Sequence, residues 1–198
     1  PVQYEGEESS KNVFYTGAAP NQQAIPATDY FLDELGVEKF ALLGTDYVYP
    51  RTTNKILNQY LLDKGIAASD IFVNYTPFGH SDWSKIVSDV VALGADGKKV
   101  GVISTINGDA NIGFYKELAA ADISADDIPV VAFSVGEEEL SGLDTTNLVG
   151  HLAAWNYFQS AESDANEEFV KEWKAAMGDN RVTNDPMEAH VIGFEMYV

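Results

Sequence analysis

The sequence predicts an α/β protein in which a parallel sheet carries helices on both faces. Two observations lead there. Short apolar runs of strand length alternate with helix-period segments, at a spacing that suits βα units. The runs Phe40-Ala41-Leu42-Leu43, Val100-Gly101-Val102-Ile103 and Pro129 to Phe133 are apolar without alternation, as strands covered from both sides must be.

The elements follow in order. Val13-Phe14-Tyr15 is a short strand candidate, followed by a loop over 16–22. Pro26 opens a helix running to about Leu35, with Gly36 as its stop. The Phe40–Leu43 strand leads through a loop into a helix over Thr52 to Lys64, with Pro50 near its first turn. Ile71 to Tyr75 is the next strand. Ser81 or Asp82 caps a helix through Leu93 that puts Ile86, Val87, Val90 and Val91 on one face. After the Val100 strand, Asn107-Gly108-Asp109 turns into a helix over Ala110 to Ala121. The Pro129–Phe133 strand precedes a short acidic helix, Glu137 to Leu140, whose glutamates read as a solvated first turn. Leu148 to Trp155 is a further strand, and Glu167–Met177 and Pro186–Tyr197 are helices.

Composition narrows the function. A net charge of -19, from 12 Lys+Arg against 31 Asp+Glu, repels phosphate backbones and makes nucleic acid a poor partner. There are no cysteines, which excludes disulfides, thiol catalysis and cysteine-ligated metals. No apolar run approaches the roughly 18 residues of a membrane span. The ends carry no signal peptide and no initiating methionine, and both look cut from something larger.

Few catalytic motifs survive inspection. Tyr60 and Lys64 have the Tyr-x-x-x-Lys spacing of a reductase, but no glycine-rich turn seats a dinucleotide, and a tyrosine on the apolar face with a lysine at the helix end explains the pair. Gly94, Gly97 and Lys98-Lys99 do not make a phosphate loop. His80, His151 and His190 match no metal spacing. No cofactor is implied.

The residues of interest fall where strands end. Tyr47 and Tyr49 follow the Phe40 strand, and in open α/β sheets ligands bind outside the carboxyl ends of the strands. Two residues apart in extended chain, they would point the same way and offer two flat walls and two hydroxyls. Asn107, Gly108 and Asp109 follow the Val100 strand; Gly108 allows a sharp turn, Asp109 could cap the next helix, and Asn107 could reach a ligand. Phe133 and Ser134 end the next strand. Three such loops suit a small neutral polar ligand, not a catalytic triad.

The segments Pro1-Val-Gln-Tyr-Glu-Gly-Glu-Glu8, Gly17-Ala-Ala-Pro-Asn-Gln-Gln23, Leu43-Gly-Thr-Asp-Tyr-Val-Tyr-Pro-Arg-Thr-Thr-Asn54, Ser104-Thr-Ile-Asn-Gly-Asp109 and Asp185-Pro-Met-Glu-Ala189 resemble the urea receptors of bacterial ABC transporters. They resemble less closely the amide-sensing regulators and short-chain amide receptors of the same group. The resemblance implies a type I periplasmic binding protein fold, with ligand held between two α/β lobes and delivered to a membrane permease. Residues 24–156 would be the second lobe, and 1–23 and 157–198 parts of the first lobe and the crossovers. The chain would then be a fragment, periplasmic or anchored at the cell surface. Tyr47 and Tyr49 match the family's aromatic pair, Asn107 and Gly108 its next ligand loop, Phe133 and Ser134 the loop after that, and Val2 and Gln3 the segment that reaches over from the first lobe. Gln3 and Asp109 fit the urea-type pattern better than the regulator pattern. A branched-chain amino acid receptor would need partners for a carboxylate and an ammonium group, and no charged pair for them stands out.

Overall fold

A computed structural model describes residues 10–198. Val2 and Gln3 lie outside the described residues. The strands β1 (Lys39–Thr45), β2 (Ile71–Thr76), β3 (Val100–Thr105), β4 (Val130–Ala132) and β5 (Leu152–Ala153) form one parallel sheet in the order β2-β1-β3-β4-β5. Helices α1 (Ala24–Asp33), α2 (Val48–Asp63), α3 (Ser84–Leu93) and α4 (Ala110–Ala120) alternate with the strands. A four-residue α5 (Glu137–Leu140) follows β4, and α6 (Asp164–Met177) and α7 (Asp185–Glu195) close the chain.

The apolar runs work as their unbroken pattern predicts, because successive strand residues feed opposite faces. Phe40, Leu42, Ile103 and Val131 pack with Phe31 of α1 and with Leu57 and Leu61 of α2. Ala41, Leu43, Val102 and Val130 pack with Ile86, Val87 and Val90 of α3 and with Phe114 and Leu118 of α4. Full burial of each large side chain contributes about 1.5–3 kcal/mol. Every residue of β1 and β3 is buried, so these two strands are the centre of the sheet.

Two expected strands and one helix start change. Val13-Phe14-Tyr15 is exposed coil, not a strand, and the five-stranded sheet is built without it. The long final strand shrinks to Leu152–Ala153, preceded by a 3-10 turn over Thr145–Leu148. Helix α2 begins at Val48, not Thr52, since Pro50 falls in the first turn, where no backbone N–H is needed. The first helical bond runs from Arg51 N to Tyr47 O at 3.2 Å. Gly44 lets this turn sit on the end of β1: a Cβ there would lie 2.5 Å from Thr105 Oγ1 and 2.7 Å from Pro50 Cβ.

Tyr60 and Lys64 share one partner. The Tyr60 hydroxyl donates to Asp29 Oδ1 at 2.6 Å and Lys64 Nζ lies 2.9 Å from the same oxygen, so the Tyr-x-x-x-Lys spacing ties α2 to α1.

The region after β5 is held differently. The Tyr157 hydroxyl meets Asn166 Oδ1 and Thr183 Oγ1, each at 2.7 Å, and is buried with them. Asn166 Nδ2 donates to the carbonyls of Gln159 and Ala161, and Thr183 N donates to Gln159 Oε1. The acidic α5, expected to be solvated, is half-buried and stapled to this region. Glu137 accepts from Ser160 N at 3.0 Å, and Glu138 accepts from Asn184 Nδ2 at 2.9 Å. Glu139 turns back to accept from Gly136 N. Among the described residues no helix is long and apolar enough to cross a membrane.

Candidate functional site

The strand order places the site. The chain runs outward from β1 to β2, then returns across β1 to start β3. The reversal opens a crevice between the carboxyl ends of β1 and β3, where α/β sheets of this order take their ligands. Thr45, the last residue of β1, accepts a 2.9 Å hydrogen bond from Asn107 N on its Oγ1 and so fixes the two loops to each other. Thr105, the last of β3, donates to Leu43 O at 3.1 Å and to Asn54 Oδ1 at 3.2 Å, tying β3 to β1 and α2.

Tyr47 and Tyr49 meet at this crevice by a different geometry from the one expected. Tyr47 caps α2 in extended backbone, while Tyr49 already lies in the first helical turn. Their rings still stand side by side, 6.1 Å between centroids and tilted by 56°. Phe78, from the loop after β2, packs 5.0 Å from the Tyr47 ring and extends the wall. Burial pushes the Tyr47 hydroxyl's pKa up.

The Tyr49 hydroxyl is buried and completes no hydrogen bond among the described residues. Burial raises its pKa, Ser134 draws it back, and Tyr47 and Asp185 raise it further. Arg51, the cation of this loop, is occupied: its Nε is 2.5 Å from Asp46 Oδ1 and its guanidinium lies 4.7 Å over the Tyr75 ring. That pairing holds the Asp46 carboxyl below the usual carboxylate range.

The second loop is half as expected. Asn107 is half-buried and donates from Nδ2 to Thr105 O at 2.9 Å, and no hydrogen bond among the described residues occupies its Oδ1. Gly108 turns the chain with φ 64°, in the region that favours glycine. Asp109 stands at the N-cap of α4, but its side chain makes no capping bond and is exposed.

The third loop divides. Ser134 is half-buried beside Tyr49. The Phe133 ring is 1% exposed and belongs to the core with Phe31 and Ile103, so it supports the edge from beneath. Its carbonyl takes a 3.2 Å bond from Gln23 Nε2, which also donates to Ala154 O at 2.6 Å. A core aromatic at a strand end has the same sequence signature as one facing a ligand.

Sequence reasoning passed over Thr45, Thr105, Phe78 and Asp185. The two threonines carried a signal, since a hydroxyl at the end of each buried central strand needs a partner. Asp185 opens α7, and its Oδ2 accepts from Asn156 N at 2.8 Å and Tyr157 N at 3.1 Å. Burial raises its pKa against those two bonds. A separate cavity of about 390 Å³ lies between α5 and β5, lined by Leu140, Leu148 and His151 among others, and contains none of the expected residues. Among the described residues no group of three or more His, Asp or Glu could hold a metal ion.

A parallel sheet of this order, with aromatic and amide side chains along its carboxyl edge, defines one half of a type I periplasmic binding fold. The chain belongs to the periplasmic binding protein domain family, which matches residues 1–198. Its fold is similar to that of an ABC transporter solute-binding protein from R. palustris solved in complex with 4-hydroxybenzoate, with a TM-score of 0.73, 19% identity, and 92% of this chain and 48% of that one covered. It is also similar to the leucine-, isoleucine-, valine-, threonine- and alanine-binding protein of Brucella ovis, with a TM-score of 0.70, 13% identity, and 93% and 45% covered. An ABC transporter substrate-binding protein from Sphaerobacter thermophilus gives a TM-score of 0.69 and 19% identity, with 88% and 46% covered. The chain thus spans less than half the length of these structures.

Proposed function

We propose that this chain is one wall of a receptor that captures urea or a short-chain aliphatic amide between two lobes and delivers it to an ABC transporter permease. Such a receptor works in the periplasm or anchored at the cell surface, and closure of its lobes about a hinge signals loading. Residues 24–156 would form the second lobe, with 157–198 running in the crossovers and first lobe.

The observation that carries this reading is the Tyr47–Tyr49 pair, whose rings stand together at the crevice with Asn107 and Ser134 beside them. Urea and small amides are planar and uncharged, with N–H donors and one carbonyl. Tyrosine supplies a flat wall and a hydroxyl, and asparagine and serine supply further donors and acceptors. Arg51, which could have met a carboxylate, is paired with Asp46. Gln3 and Asp109, both of the urea-type pattern, join the proposed set on resemblance.

A second reading has its own support. The similar folds include one solved with 4-hydroxybenzoate and one named for amino acids, so a carboxylate ligand such as leucine stands as the alternative. Parallel calorimetric titration of the two-lobed receptor with urea, acetamide, leucine and 4-hydroxybenzoate separates them. Heat with urea or acetamide alone is expected, and heat only with the acids would leave the fold assignment standing and remove the amide assignment. Tyr47→Ala is expected to weaken binding without changing the melting temperature. Asn107→Ala is expected to cost roughly 1–3 kcal/mol of binding. Unchanged affinity would return either residue to a structural role.

A further inference from the structure

We propose that Asp185 is the specificity-determining acceptor of this crevice: its carboxylate receives the N–H groups of the ligand beside Tyr49 and so turns carboxylate-bearing molecules away. The inference rests on the amide-receptor reading and deepens it by naming the residue that separates amides from acids.

Three observations converge on it. First, Asp185 is 6% exposed, and a carboxylate this far from water is kept only where its oxygens have work. Second, that work is half accounted for. Oδ2 accepts both Asn156 N and Tyr157 N, while no hydrogen bond among the described residues occupies Oδ1. A carboxylate offers about four lone-pair sites, so the backbone contacts leave acceptor capacity unused. Third, Asp185 lies on the carboxyl edge of the sheet. Asn156 and Tyr157, which it binds, come just after Ala153 and Ala154, which pair with Ala132 at the end of β4, two residues before Ser134. On that edge the Tyr49 hydroxyl is buried and completes no hydrogen bond among the described residues. The crevice therefore holds one orphaned donor, the Tyr49 O–H, and one under-used acceptor, Asp185 Oδ1. An amide or urea brings the complement, a carbonyl for the first and an N–H for the second. A carboxylate brings a second negative charge to an acid already deprived of water.

The plain alternative is that Asp185 only ties α7 to the chain after β5 and favours the positive end of the helix. That role uses Oδ2 and the position of the residue, and it predicts nothing about ligands. Asp185→Asn separates the two. Its Oδ1 still accepts from the two backbone N–H groups, while an N–H₂ replaces the free acceptor.

The test is calorimetric titration of the two-lobed receptor, wild type and Asp185→Asn, with acetamide, urea and acetate. Acetamide and acetate share a shape and differ only in N–H₂ against O⁻. The wild type is expected to prefer acetamide over acetate. Asp185→Asn is expected to lose about tenfold or more in acetamide and urea affinity, the scale of one charge-assisted hydrogen bond, and to narrow the acetamide-to-acetate ratio by a similar factor. Should the asparagine variant melt far below the wild type, Asp185→Ser, which retains a hydroxyl acceptor without the charge, must show the same narrowing. An unchanged ratio in the folded variant, alongside lost binding in Tyr47→Ala, overturns the role of Asp185 and leaves the amide reading intact. A wild type that binds leucine or 4-hydroxybenzoate and neither amide overturns both.

Discussion

The sheet with its four covering helices and the segment after β5 are stabilised by opposite means. Between α1 and β4 the chain buries two continuous apolar layers, with Phe40 and Leu42 feeding one and Ala41 and Leu43 the other. From Tyr157 to α7 the buried groups are largely polar: Asn166, Thr183, Asn184 and Asp185 join the Tyr157 ring. Apolar burial is non-directional and tolerates small shifts, whereas a buried polar network holds one geometry or loses its partners. The sheet is therefore suited to be a rigid platform, and the later segment to hold a single arrangement of its side chains.

The largest effect should come from opening the apolar layer. Leu57→Ala removes a fully buried side chain between α2 and β1, and is expected to cost about 2–5 kcal/mol in chemical denaturation. Amide exchange should then rise across β1 and β3 together. Exchange that rises in α2 alone would show that the sheet and helices are not one cooperative unit.

A smaller and more local effect is expected from Tyr157→Phe. It removes the hydroxyl between Asn166 and Thr183 and should cost roughly 1–3 kcal/mol. Exchange should rise over residues 159–195 while β1 and β3 keep their protection. If the whole sheet loosens equally, the contrast between the two regions is false.

The smallest effect concerns pH. His151 accepts from Val130 N on Nδ1 at 3.2 Å, and burial holds its pKa below the ordinary 6.5. The unfolded chain thus takes up a proton more readily than the folded one. Stability from this site is complete above pH 6.5 and declines as pH falls below it. The slope of unfolding free energy between pH 7 and pH 5 should flatten in His151→Gln, and an unaltered slope would assign the acid sensitivity to other groups.

The difference between the two regions also governs what could be read from the residues. The Phe40 and Val100 runs announced buried parallel strands because covering a strand on both faces leaves no room for alternation. The Tyr47 and Asn107 loops were legible as edge loops for the same reason, since each directly follows such a run. Val13-Phe14-Tyr15 misled because three apolar residues carry no information about a pairing partner. The acidic triplet Glu137-Glu138-Glu139 looked solvated because its partners, Ser160 and Asn184, come from distant parts of the chain.

The sequence by itself determined the fold class, the central strands and the place of the Tyr47–Tyr49 pair at the carboxyl end of the Phe40 strand. Those depend on local periodicity, which a single segment records in full. Only the tertiary structure decided the strand order, the sinking of Phe133 into the core, the Thr45–Asn107 link and the anchoring of Asp185 to Asn156 and Tyr157. Each of these joins residues far apart in the chain. A side chain's type is local, but whether its hydrogen bonds are already filled is settled only by what the fold packs against it.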